Sequence, residues 1–151
     1  MSQSLSMLYV HVVFSTKNRI AFISNENIRK ELYSYIAKII YEHDSVPIEV
    51  GGHKDHVHIF LDLSKNLSLK QLVRLIKVST SKWLKTRGEE FKNFHWQNGY
   101  GGFSIGEAHR LKTIDYIKTQ DEHHHKISFQ EEFIIFLKKN NMDYSEKYMW
   151  D

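Results

Sequence analysis

The segment "HVHIFLDL", His56 to Leu63, constrains this chain more than any other stretch. In an extended backbone, residues i and i+2 share a face. His56 and His58 therefore point together, while Val57, Ile59, Leu61 and Leu63 point the other way. A strand that is aliphatic on one side and carries imidazoles on the other calls for a sheet with one face packed under helices. The imidazoles are expected on the opposite, open face, about 6 to 7 Å apart along the strand. One ion could accept both. The competing reading is a pair of solvent-facing histidines, because His-x-His often arises by chance.

The neighbouring segments supply the rest of such a sheet. "LYVHVVFS" alternates Leu8, Val10, Val12 and Phe14 on one face, and "STKNRIAF" reads as a polar loop. From Asn25, a capping residue, the apolar positions become Ile28, Leu32, Tyr35, Ile36, Ile39 and Ile40, which is helical spacing. After Pro47 comes a short strand, "IEV", and Gly51-Gly52 is expected to turn the chain into the histidine strand. Ser68 caps a second helix with the stripe Leu69, Leu72, Val73, Ile76, Thr80, Trp83 and Leu84, which Gly88 ends. "FHWQNGYGGFSIG" suits an irregular fourth strand.

A third helix is predicted from about Glu107 to His123, with His123–His125 as a solvated helix end. Ser128-x-x-Glu131 opens a fourth, with Phe129, Phe133, Phe136 and Leu137 on its apolar side. The aromatic tail "MDYSEKYMWD" is expected to dock. The order is β-α-β-β-α-β followed by two helices. That predicts an α+β fold, a ferredoxin-like or RRM-like four-stranded antiparallel sheet with two helices on one face.

At 151 residues the chain is expected to be a single domain, 1–151, and 41% hydrophobic content can fill its core. The absence of cysteine excludes disulfides and thiolate metal sites. No secretory signal or bilayer-length apolar run is visible, so a soluble cytoplasmic protein is expected. With 21 Lys+Arg against 18 Asp+Glu, the charge only hints at a polyanionic partner.

The predicted third helix carries the second chemical signal. At about 100° per residue, Ala108, Leu111, Ile114 and Ile117 fall on one side, and His109, Lys112, Tyr116 and Gln120 on the other. Tyr116 would thus lie off the core stripe, with Gln120 one turn behind it. Either it is a surface tyrosine, or it is a nucleophile followed by a metal ligand.

"GGHKDHVHIFLDL" together with "DYIKTQDEHH" resembles the single-tyrosine HUH transposases of the smallest bacterial insertion sequences, HUH meaning His-hydrophobic-His. "HVVFSTKNR", "WQNGYGGFSI", "SFQEEFIIFLKK" and "YMWD" extend the likeness over nearly the whole chain, in order. The resemblance implies His56 and His58 as the metal-binding pair, Tyr116 as the nucleophile and Gln120 as the third ligand. It also implies magnesium or manganese, single-stranded DNA with hairpins at element ends as substrate, and a homodimer whose active sites are shared between subunits. A free phenol titrates near 10 and attacks poorly at neutral pH, so a divalent cation on the scissile phosphate would assist. Lys17 and Arg19, following the first strand, are candidate DNA contacts. On the second helix Lys70, Arg74, Lys77 and Lys85 form a basic stripe of a kind that is usually just solvated.

Transposases associated with repetitive extragenic palindromes share these motifs. A non-catalytic single-stranded nucleic-acid-binding module would share the fold but should expose aromatics where His56 and His58 stand. A relaxase or rolling-circle initiator would normally be longer, and a simple metal-dependent hydrolase would need no tyrosine.

Overall fold

The structure is a computed structural model that describes residues 2–123 and 126–151, without the side chain of His123. Along it run β1 (Tyr9–Ser15), α1 (Glu26–Glu42), β2 (Val46–His53), β3 (His56–Asp62), α2 (Leu69–Lys85), β4 (Gly101–Ser104), α3 (Arg110–Lys118), α4 (Gln120–His123) and α5 (Phe129–Lys139). The strands form one antiparallel sheet in the order β2-β3-β1-β4, the ferredoxin-like topology the sequence predicts.

The helix starts are written in the sequence. Asn25 Oδ1 accepts from the Ile28 amide, and Ser68 and Gln71 form a reciprocal capping box. Each such cap contributes about 1 kcal/mol. Ser128 Oγ accepts from the Glu131 amide in the same way at α5. The stripes of α1 and α2 then bury Leu32, Ile36, Ile40, Leu72 and Ile76 against Val12, Phe14, Val57, Ile59 and Leu61 of the central strands. At about 1.5 to 3 kcal/mol for each large aliphatic side chain, this layer dominates the stability of the sheet.

Three local expectations are corrected. The strand around "IEV" is longer, Val46–His53, and includes Pro47, Gly51 and Gly52; the chain turns at Lys54-Asp55 instead. Pro47 is tolerated because β2 is an edge strand, and the register shifts beside it, between Pro47 and Glu49. The third helix is not continuous from Glu107 to His123: a 3₁₀ turn at Glu107–His109 precedes α3, and α4 begins anew at Gln120. Of the expected solvated histidine triplet, His124, His125 and the His123 side chain lie outside the described residues.

The third correction concerns the sheet's second face, which is not open. Val13 and Phe103 on that face pack with Phe129, Phe133 and Leu137 of α5, and the tail adds Met149 and Trp150. The apolar side of α5 is thus buried against the apolar residues of this face. The expected docking of the tail is thereby explained: Arg19 donates to the Trp150 carbonyl, and its guanidinium lies 5.6 Å from the Trp150 ring centre. Among the described residues, no helix is long and apolar enough to cross a membrane.

Candidate active site and metal centre

The pleat of β3 does aim His56 and His58 to one side, but into the layer under α3, α4 and α5. Both are completely buried. His56 Nε2 lies 3.1 Å from Gln120 Oε1, the first residue of α4, and His58 Nε2 lies 2.9 Å from Glu132 Oε1 on α5. His56 Nε2 is 3.7 Å from the same carboxylate oxygen. Donor atoms of His56, His58 and Glu132 all fall within 4.8 Å of one another. Ligands held by one ion at about 2.0 to 2.2 Å are about 2.9 to 3.6 Å apart, so with a small inward shift this set is compatible with a divalent cation. The donor set mixes imidazole nitrogens, which suit zinc, copper or nickel, with carboxylate and amide oxygens, which suit magnesium or manganese.

Each imidazole is also held from behind. Asp55 Oδ1 lies 2.7 Å from His56 Nδ1, and His11 Nε2 lies 2.8 Å from His58 Nδ1. His11 is itself buried, and that burial, with His58 as a lesser cause, holds its pKa well below the usual histidine value. Asp121, next to Gln120, is gripped by His53 at 2.6 Å and Arg29 at 3.7 Å, which ties α4 to β2 and α1.

Tyr116 projects from α3 into the same pocket. Its ring centre is 5.8 Å from that of His58 and 5.6 Å from that of Phe136. The hydroxyl donates to Glu132 Oε2, which also accepts from Gln120 Nε2 at 3.2 Å. Burial first, and then the Glu132 charge and hydrogen bond, push the phenol's pKa above its ordinary value.

Gly51 makes this approach of α3 possible. It pairs with His58 across the sheet, and a Cβ there would lie 2.8 Å from both the carbonyl oxygen and Cγ2 of Ile117. The buried side of α3 is therefore Thr113 and Ile117, continued by Gln120, with Tyr116 half-buried beside them. The apolar side read from the sequence is rotated from this one: Leu111, placed there, is 71% exposed.

The structure thus brings Tyr116, His56, His58 and Gln120 together, all from one chain. The resemblance implied sites shared between subunits; here the tyrosine meets its own chain's histidines. Lys17 is exposed at the end of β1, where Thr16 bonds the Asp55 carbonyl beside His56. Arg19 is engaged by the tail. In the basic stripe of α2, Lys77 is not simply solvated: its ammonium donates to the carbonyls of Gln97, Asn98 and Gly99, holding the approach to β4.

Sequence reading missed Glu132 and His11. Glu132 sits among Phe129, Phe133 and Phe136 on the apolar side of α5, and a carboxylate in that position was the available signal. His11 lies on the face of β1 opposite Val10, Val12 and Phe14, the face shared with the β3 histidines.

The sequence matches the family of IS200-like transposases over residues 4–120, most of the chain, a span that includes His11, the β3 histidines, Tyr116 and Gln120. The chain belongs to the IS200-like transposase family. Two solved structures are similar to this transposase. One is a candidate transposase from Deinococcus radiodurans R1, with a TM-score of 0.60 and 16% identity over 78% of this chain and 93% of that one. The other is a REP-associated tyrosine transposase bound to a REP hairpin, with a TM-score of 0.61 and 16% identity over 84% of this chain and 76% of that one. At this identity they show a shared fold. No curated protein matches the chain. Membership makes this transposase a DNA-cleaving enzyme, and its His56-His58-Glu132 cluster is compatible with a divalent ion.

Proposed function

We propose that this single 151-residue domain cleaves and rejoins single-stranded DNA at the ends of an insertion sequence through a 5′-phosphotyrosine on Tyr116. The observation that carries the reading is the meeting of the Tyr116 hydroxyl and the His58 imidazole on one buried carboxylate, Glu132. A nucleophile and a set of metal donors share one pocket.

His56 and His58, with Gln120 and Glu132, would hold Mg²⁺ or Mn²⁺. Such an ion polarises the scissile phosphate and offsets the charge that develops during attack. Tyr116 supplies the oxygen: its O–P bond forms as the P–O3′ bond breaks, the phenol gives up its proton and the departing 3′-oxygen gains one. The energy of the phosphodiester is kept in the phosphotyrosine, so a 3′-hydroxyl can reverse the step and join new ends. Because the donor atoms are buried in this conformation, a phosphate reaches them only if α5 or α3 gives way.

Hairpin recognition at element ends is supported by the hairpin-bound REP-associated relative. That relative equally favours a second reading, in which the protein acts on repetitive palindromes. Lys17, and Arg19 when the tail releases it, would track the backbone near the site. A homodimer is expected through β4, an edge strand whose pairing with a second copy would close both edges. The site residues place no demand on a membrane, and action on DNA in the cytoplasm suits the reading.

Label position tests the chemistry. With single-stranded element-end DNA and Mn²⁺, a label on the 3′ side of the break should stay on the denatured protein. A label retained from the 5′ side, or a free 5′-phosphate with no adduct, would contradict it.

A further inference from the structure

We propose that His11 is a positioning residue for the metal centre, accepting the Nδ1 proton of His58 so that the His58 Nε2 lone pair stays aimed at the ion. The inference rests on the reading of His58 as a metal ligand. An imidazole that gives one nitrogen's lone pair to a metal keeps its proton on the other nitrogen, and that proton needs an acceptor. For His56 the acceptor is the Asp55 carboxylate, 2.7 Å from Nδ1. For His58 the facing atom is His11 Nε2, at 2.8 Å.

The two arrangements differ in depth, and the chemistry of each orienting group suits its place. Asp55 has a 23% exposed side chain and can keep its charge solvated. His11 is only 2% exposed. Phe136, Tyr116 and Phe103 stand around it, with ring centres 5.2, 6.4 and 6.5 Å away. A carboxylate there would carry a buried charge, whereas a neutral imidazole offers an acceptor without one. The same walls fix the orientation of the ring. Register places His11 on the metal side by necessity, since Val13, two residues on, pairs directly with His58. His11 meets His58 at Nδ1, the ring nitrogen opposite the proposed ligand atom, and acts through it.

Mn²⁺ affinity, measured by calorimetry on the full chain without DNA, tests this apart from catalysis. His11→Met and His11→Gln have similar volumes, but the glutamine carbonyl is a strong acceptor for the His58 proton and the methionine sulfur a weak one. His11→Met should weaken Mn²⁺ binding about 10- to 100-fold, as loss of a metal ligand's orienting partner does. His11→Gln should restore most of that loss, and His58→Ala should lose at least as much as His11→Met. If His11→Met binds like wild type while His58→Ala does not, His11 only fills space and the inference is overturned, with the ligand reading intact. If His58→Ala also binds like wild type, the ligand reading itself fails. Should His11→Met not fold, imidazole ¹⁵N spectra of the wild-type protein with Mg²⁺ decide: a proton on His58 Nδ1 supports the inference, and one on Nε2 overturns it.

Discussion

The hydroxyl of Tyr116 on α3 donates to the carboxylate of Glu132 on α5, which ties the proposed nucleophile to the helix that covers the histidines. One carboxylate therefore serves both parts of the site, since its other oxygen faces His58 at 2.9 Å. In this state the phenol is held protonated, and activation requires that the pair be parted.

That pairing has a consequence for stability at high pH. Burial and the Glu132 charge raise the Tyr116 pKa above its ordinary 10.0, so above that pH the folded protein keeps a proton that the unfolded chain releases. The stabilisation is fully present below about pH 10 and is lost as pH rises further. Tyr33, also pushed up mainly by burial, acts in the same direction. Urea midpoints should fall between pH 8 and pH 11 for the wild type and fall less for Tyr116→Phe. Equal declines would show that the buried phenol is not linked to folding.

Variants of the proposed metal ligands should lose stability as well as activity. His56 and His58 are completely buried and bonded to Asp55, Gln120, His11 and Glu132, so truncation strands their partners. We expect His56→Ala and His58→Ala to abolish cleavage and to cost about 1 to 3 kcal/mol each in metal-free urea unfolding. Unchanged midpoints would mean that the second face of the sheet opens readily in solution.

Gly51 should matter although it carries no functional group. A methyl there meets the Ile117 backbone, which cannot swing aside like a long side chain. Gly51→Ala should displace the tyrosine helix and reduce adduct formation about 10- to 100-fold, the effect expected of a misplacement near 1 Å. Mn²⁺ binding should fall less than adduct formation, because His56, His58 and Glu132 lie outside α3 and only Gln120 follows it closely. Wild-type cleavage by Gly51→Ala would show that α3 is not seated on β2 during the reaction.

The sheet and its first helical layer were legible because each strand and helix there shows its own period and its own cap: Val57, Ile59 and Leu61 alternate, and Asn25 and Ser68 stand where helices begin. His56, His58, Tyr116 and Gln120 stood out for the same reason, as polar residues at regular spacing. The covering of the second face was not legible. Nothing local to β3 says that an apolar stripe some seventy residues later will lie over it, as the Phe129 ring, 4.8 Å from that of His56, does. The rotation of α3 was hidden because Gly51, not an apolar side chain of the helix, decides which side packs.

Subunit mixing distinguishes where each site is built. A dimer made from His56→Ala and Tyr116→Phe chains should be inactive if each tyrosine serves its own chain's histidines, because every site then carries one defect. Recovered cleavage would place α3 of one subunit over the histidines of the other, against the arrangement found within this chain.

The most direct measurement maps the covalent bond. After reaction with single-stranded element-end DNA and Mn²⁺, trypsin should release Thr113–Lys118, a peptide whose single tyrosine is Tyr116. The account predicts that the DNA-derived phosphate is found on this peptide and that Tyr116→Phe yields no adduct. A phosphate mapped to any other peptide, or an undiminished adduct in Tyr116→Phe, would contradict it.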